Sequence, residues 1–234
     1  MKILKGFLLL FFIVILSSCL RIKKEKTEVN RNDSIERTPS ANNNTEFGKD
    51  KSSVTTIKFD DITVFISKFI VYDEKNKLST NQKDTVCISA DIGETIEGQL
   101  INIETSTIKN LKVEQRYETS ITIMNEGPHC DLTEWKHYDS EWKQLKTKNN
   151  LFECIKYTND EQQKFPEINI EKLKSEIKSK CGKDWFELVK NIKSPIEYPC
   201  EVGISKYFLR ITGENATNGV KIAKLIEIDV SLGD

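Results

Sequence analysis

The residues best suited to chemistry gather in one stretch, His129-Cys130-Asp131-Leu132-Thr133-Glu134-Trp135-Lys136-His137. It holds both histidines of the chain, a cysteine and acids. Thiolate and imidazole are preferred ligands of zinc and copper, so His129, Cys130, Asp131 and His137 form a candidate metal set. Their spacing matches no zinc signature, and convergence depends on how the stretch folds. A nucleophilic Cys130 would need a base in reach, but His129 is its sequence neighbour and adjacent side chains rarely converge. The structural alternative is a cap, a turn and a cysteine reserved for a disulfide. Trp135, Tyr138 and Trp142 follow and form a candidate glycan-binding surface. Glu114 and Glu118 share one face of a strand, but lie about 13 Å apart along it, too far for paired acid-base work. They are read as part of a solvated face.

The elements that would position these groups follow from hydrophobic period. Asp131 with Glu134 resembles a capping box, and Trp135, Tyr138, Trp142 and Leu145 then form an apolar helical stripe. The clearest strand runs from Leu111 to Met124, with Leu111, Val113, Tyr117, Ile121 and Ile123 on one side. Alternating charges on its other side predict cross-strand ion pairs on a solvated antiparallel sheet. Ile62–Tyr72 is rich in β-branched and aromatic residues and predicts a central strand buried on both faces. Thr85–Ala90 and Thr95–Ile103 predict two more strands, with Gly98 as a bulge.

Ile170, Leu173, Ile177 and Cys181 mark a helix closed by Gly182. A second helix, capped by Asp184 and Glu187, buries Trp185, Leu188, Val189 and Ile192. Residues 203–212 and 220–230 alternate as a closing hairpin, with Lys224 snorkelling at its edge. The expected fold is α+β: an antiparallel sheet or β-sandwich with a helical insertion, about 131–192, before a C-terminal β-hairpin.

The chain begins with Lys2 and Lys5, an apolar run from Phe7 to Leu16, and then Ser17-Ser18-Cys19. A positive start, a short apolar core and small residues before a cut form a secretory signal peptide, residues 1–18. The run is about ten residues, short of the roughly twenty needed to span a bilayer. Leu16-Ser17-Ser18-Cys19 resembles the lipobox of bacterial lipoproteins. The resemblance covers residues 1–19 and implies cleavage before Cys19, lipidation of its thiol and acylation, as by palmitate, of the new amino group. Several acyl chains give stable anchoring where one gives marginal binding. In the enterobacterial sorting pattern an Asp after the cysteine retains the protein in the inner membrane. Leu20 therefore favours the outer membrane of a bacterial cell envelope.

Residues 20–53 are polar, with sparse apolar residues and no period, and are read as a disordered tether. As a flexible coil they would reach about 32 Å. Arg21 to Lys26 could sit on anionic headgroups, although the interspersed Glu25 and Glu28 favour a solvated spacer. Residues 54–234 are expected to form a single globular domain. The formal net charge of −1 becomes about −3 when Lys2 and Lys5 leave with the signal peptide, so no nucleic-acid footprint is present.

Cysteines and motifs complete the expectation. Beyond the cytoplasmic membrane, disulfides persist. Cys130, Cys154, Cys181 and Cys200 punctuate the insertion, and the pairing expected is Cys130–Cys154 with Cys181–Cys200. Cys87, mid-strand, would be a small buried hydrophobe. The chain carries no Gly-Xaa-Ser-Xaa-Gly, no His-Glu-Xaa-Xaa-His and no phosphate loop. The leading expectation is a non-enzymatic domain without a cofactor that binds another protein, in the manner of an immunity protein or a hydrolase inhibitor. The alternatives are a metal-binding protein or enzyme built on His129, Cys130, Asp131 and His137, and a glycan-binding domain.

Overall fold

A computed structural model describes residues 54–72 and 83–232. The signal segment, Cys19 and the segment 20–53 lie outside the described residues. Among the described residues no helix is long and apolar enough to cross a membrane.

The described chain builds two sheets. The strands are β1 (Val54–Lys58), β2 (Thr63–Ser67), β3 (Thr85–Ser89), β4 (Leu100–Glu104), β5 (Ile108–Ile123), β6 (Cys130–Asp131), β7 (Tyr138–Asp139), β8 (Lys143–Gln144), β9 (Lys146–Lys148), β10 (Leu151–Glu153), β11 (Cys200–Asn215) and β12 (Lys221–Asp229). One sheet has the order β1-β2-β4-β10-β9. The other has the order β3-β12-β11-β5, with β6, β7 and β8 laid in turn along the free edge of β5. The pairings are antiparallel except β3 on β12. The β-sandwich reading with a closing hairpin therefore holds.

Period-two patterning explains the main core. Val113 and Tyr117 of β5, Tyr207, Leu209 and Ile211 of β11, and Ile226 and Ile228 of β12 turn to one face. They meet Val64, Ile66 and Ile101 from the smaller sheet in one buried cluster. β2 alternates buried and half-buried residues, so it is not the strand buried on both faces that composition suggests. Its end comes at Lys68, whose φ is 49°. Gly98 (φ 72°) turns the chain just before β4 and is not a bulge within it.

β5 and β11 each run 16 residues and outgrow the smaller sheet. Their far ends carry Ile121, Ile123, Cys200 and Val202 into a second cluster. Helices α2 (Ile170–Lys180) and α3 (Lys183–Val189) cover it with Leu173, Ile177 and Val189. Asn169 caps α2 through the amides of Glu171 and Lys172. Gly182, at φ 101°, ends α2 as expected, but it also precedes α3, which has no side-chain cap from Asp184 or Glu187. Leu188 is exposed rather than inward. A short α1 (Asn159–Gln162) opens on a Thr158–Glu161 capping box.

The helical reading of residues 131–145 is corrected: the helices of the insertion span 159–189, and residues 130–144 supply three short strands. The stretch is rich in Asp, Ser, Thr, His and Tyr, which are weak helix formers. The edge of β5 offers unpaired backbone groups that need partners. Leu132 N donates to Ile121 O at 2.8 Å, Ser140 N to Tyr117 O at 2.9 Å and Leu145 N to Val113 O at 2.8 Å. These long-range bonds outweigh a weak local preference.

Candidate functional site

The structure takes the expected metal set apart. Cys130 is joined to Cys181, with their Cα atoms 6.1 Å apart. Its sulfur therefore leaves the ligand pool. His129 Nδ1 lies 3.2 Å from Leu232 O. Asp131 accepts from the Thr122 hydroxyl. His137 lies elsewhere, beside Glu118 and Asp139. The expected disulfides are likewise corrected: Cys154 and Cys200 are free and buried, and burial pushes the Cys200 thiol up to about 12. The reason is the strand at β6, which carries Cys130 toward the end of α2 rather than toward β10. Cys87 is half-buried, with its sulfur 3.9 Å from Glu227 Oε2.

The three aromatic rings also part company. Trp135 packs on the helix-covered cluster, whereas Tyr138 packs on the sandwich core near Tyr117. Trp142 lies between two guanidinium groups, with Arg210 Cζ 4.3 Å and Arg116 Cζ 5.2 Å from its ring centroid. The helical spacing that seemed to align them does not exist, so they form no common platform.

A different group comes together on the outer face of the larger sheet. Glu118, His137 and Asp139 bring their donor atoms within 4.8 Å of one another. The register of β5 with β7 sets Asp139 directly opposite Glu118. His137 and Asp139 flank Tyr138, so they project to one side while Tyr138 turns to the core. His137 Nε2 lies 3.7 Å from Asp139 Oδ2 and 4.0 Å from Glu118 Oε2. The remaining carboxylate oxygens are held from behind. Arg116 pairs with Asp139 Oδ1, and Ser205 Oγ donates to Glu118 Oε1 at 3.3 Å.

The Ser205 contact comes from a fault in the strand ladder. The β11–β5 register shifts between Ile204 and Lys206, leaving Ser205 as the extra residue of a bulge. Bulges re-aim side chains, and this one turns Ser205 to Ser120 at 2.8 Å and to Glu118. Glu118 is 7% exposed, so the solvated face expected at this position is corrected. Burial raises its carboxyl above the ordinary carboxylate range, against the lowering by His137 and Lys206. Lys206 Nζ is committed to Glu227 at 2.8 Å and Asp229 at 3.5 Å. The expected cross-strand ion pairs are present on this face, as in Arg210 with Glu114 at 2.9 Å.

Sequence reasoning missed Glu118 and Asp139 as partners of His137. The local signal was the alternation His137-Tyr138-Asp139, with an apolar residue between two polar ones. A helical reading of the neighbourhood hid it. No sequence signal supplies the register that brings Glu118 opposite Asp139.

A second polar group lies inside the sandwich. Glu97 accepts from the Tyr207 hydroxyl at 2.7 Å and the Tyr157 amide at 3.0 Å. The Tyr117 hydroxyl donates to Glu161 O at 2.6 Å, and burial pushes its pKa up to about 12. These bonds tie the turn before β4, β5, β11 and α1 together and read as structural. Lys224, expected to snorkel, is instead 4% exposed, with Asp84 at 2.7 Å and Asp61 at 3.0 Å.

These features define a two-sheet β-sandwich with a disulfide-linked helical cover at one end. Compared with protein-family models, with curated proteins and with solved structures, the chain matches none.

Proposed function

We propose that this protein is a lipid-anchored component of a bacterial cell envelope whose domain binds another protein. The observation that carries the reading is Leu16-Ser17-Ser18-Cys19, placed where the apolar run ends. Lipid on Cys19 holds the chain at a membrane, with the outer membrane favoured by Leu20. The disulfide-compatible geometry of Cys130 and Cys181 suits an oxidising compartment.

The loop before β11 supports protein recognition. Tyr198 is 80% exposed and Ile196 60% exposed, next to Pro199. Exposed aromatic residues supply large contact area at low entropic cost and are enriched at interface hot spots. An immunity protein or an inhibitor of a cell-wall hydrolase fits this layout.

The test has two arms. Metabolic labelling with palmitate should mark the wild-type chain and leave Cys19→Ser unlabelled and shed from the membrane fraction. Affinity capture of the full-length lipoprotein from envelope extract should retain a stoichiometric protein partner, and Tyr198→Ala should release it. An unlabelled wild-type chain would sink the anchor, and the absence of any stoichiometric partner would sink the recognition role.

A further inference from the structure

We propose that Glu118, His137 and Asp139 form a binding site for a divalent transition-metal ion of the Zn²⁺ class, open to solvent at His137. The site does not depend on the lipid anchor or on a protein partner. One imidazole nitrogen and two carboxylate oxygens are a donor set that zinc accepts.

The separations point to an ion. The distances of 3.7 Å and 4.0 Å from His137 Nε2 to the two carboxylates are too long for hydrogen bonds. They are close to the edge of a tetrahedral zinc shell, about 3.4 Å for ligand bonds of about 2.0–2.1 Å. A contraction of about half an ångström would bring His137 Nε2 to that edge from both carboxylates. His137 and Asp139 are exposed, Asp139 in the two-residue β7 and His137 just before it, so they can move by that much.

The second observation is the state of Glu118. Its side chain is more than nine-tenths buried, with Oε1 bonded to Ser205 and Oε2 facing the imidazole. Each carboxylate presents one oxygen to the site while the other is held by a donor behind it. Ser205 holds Glu118, and Arg116 holds Asp139. Partners of this kind orient metal ligands and are as much part of a site as the ligands themselves. The β11 bulge is what supplies Ser205. Lys206 does not fill the site, because its ammonium is taken by Glu227 and Asp229. Solvent water would complete the coordination.

The test is titration of the full-length, chelator-treated chain in detergent with Zn²⁺ alone, followed by calorimetry. One ion per chain is expected, with a rise in melting temperature. His137→Ala and Asp139→Asn should each weaken binding by more than about 100-fold, and Ser205→Ala by about tenfold. His129→Ala should leave binding unchanged. Imidazole NMR of the unmutated chain gives an independent reading: Zn²⁺ should shift the His137 ring signals and not those of His129. No saturable Zn²⁺ binding would overturn the proposal. So would binding that survives both His137→Ala and Asp139→Asn, or a shift confined to His129.

Discussion

The two buried clusters of this domain are held in different ways although β5 and β11 run through both. The sandwich cluster is closed by two sheets face to face, and its residues come from strands spread along the described chain. The far cluster has a sheet on one side and two short helices on the other, with a disulfide between β6 and the end of α2. α2 and α3 have 11 and 7 residues, lengths at which an isolated helix is marginal in water. The helical cover of the smaller interface is thus tied covalently to the edge of the sheet. The difference shows how one long antiparallel strand pair can serve two cores closed by different partners.

The largest effect should come from the sandwich side. Leu209 is fully buried on β11 within the sandwich cluster, where close packing leaves a truncation little chance of being filled. Leu209→Ala should cost about 2–5 kcal/mol in urea unfolding. A loss below about 1 kcal/mol would mean that this core does not govern stability.

On the other side, Cys130→Ser opens a link between residues 51 apart in sequence. Chain entropy alone sets the loss near 4 kcal/mol at most. Hydrogen exchange distinguishes the two regions more sharply than the total. Amides of α2 and α3 should lose protection in this variant, while those of Leu209 and Ile211 keep it. Equal loss in both regions would show one cooperative unit and erase the contrast.

A smaller effect should come from Lys224, which ties β12 to the Asp61 turn and to Asp84. Lys224→Met keeps the apolar stem and removes the charge. Its cost should be about 1–2 kcal/mol, because Asp84 is largely exposed and screened while Asp61 is not. Burial lowers the pKa of Lys224, and its two aspartates more than reverse that, leaving it raised above 10.5. Its contribution is present below that value and fades as pH rises through the higher folded-state value. An unchanged alkaline unfolding profile in Lys224→Met would refute this assignment.

The smallest lies at the seam between the cores. Tyr117 and Thr119 of β5 donate to the backbone of residues 161 and 164, in and just after α1. Glu161 is bonded to Lys143 and to the Thr158 cap, which lower its pKa to about 2. This contribution is present above the ordinary carboxylate value of 4.5 and is lost as pH falls toward about 2. Glu161→Gln should cost less than about 1 kcal/mol near neutral pH and flatten the acid limb of the stability curve. An acid limb identical to that of wild type would remove Glu161 from the account.

The strands that hold the sandwich were legible because their period is two and one face is apolar. β5 shows this from Val113 to Ile123, and α2 shows the helical equivalent from Ile170 to Ile177. The failure at residues 131–145 has a definite cause. Trp135, Tyr138, Trp142 and Leu145 fit a helical stripe by coincidence, while their backbone groups were needed along the edge of β5. The same failure hid the Glu118, His137 and Asp139 cluster, since a helix would have placed His137 and Asp139 on different faces.

Residue order alone determined the apolar faces of the long strands, the amphipathic face of α2 and the lipobox pattern, because each is a local pattern of side chains. Only the tertiary structure decided that Cys130 meets Cys181, that Ser205 stands in a bulge and that Asp139 lies opposite Glu118. Those outcomes depend on strand register and edge pairing. Register is a choice among backbone alignments that a stretch of sequence can adopt equally well until the rest of the sheet is in place.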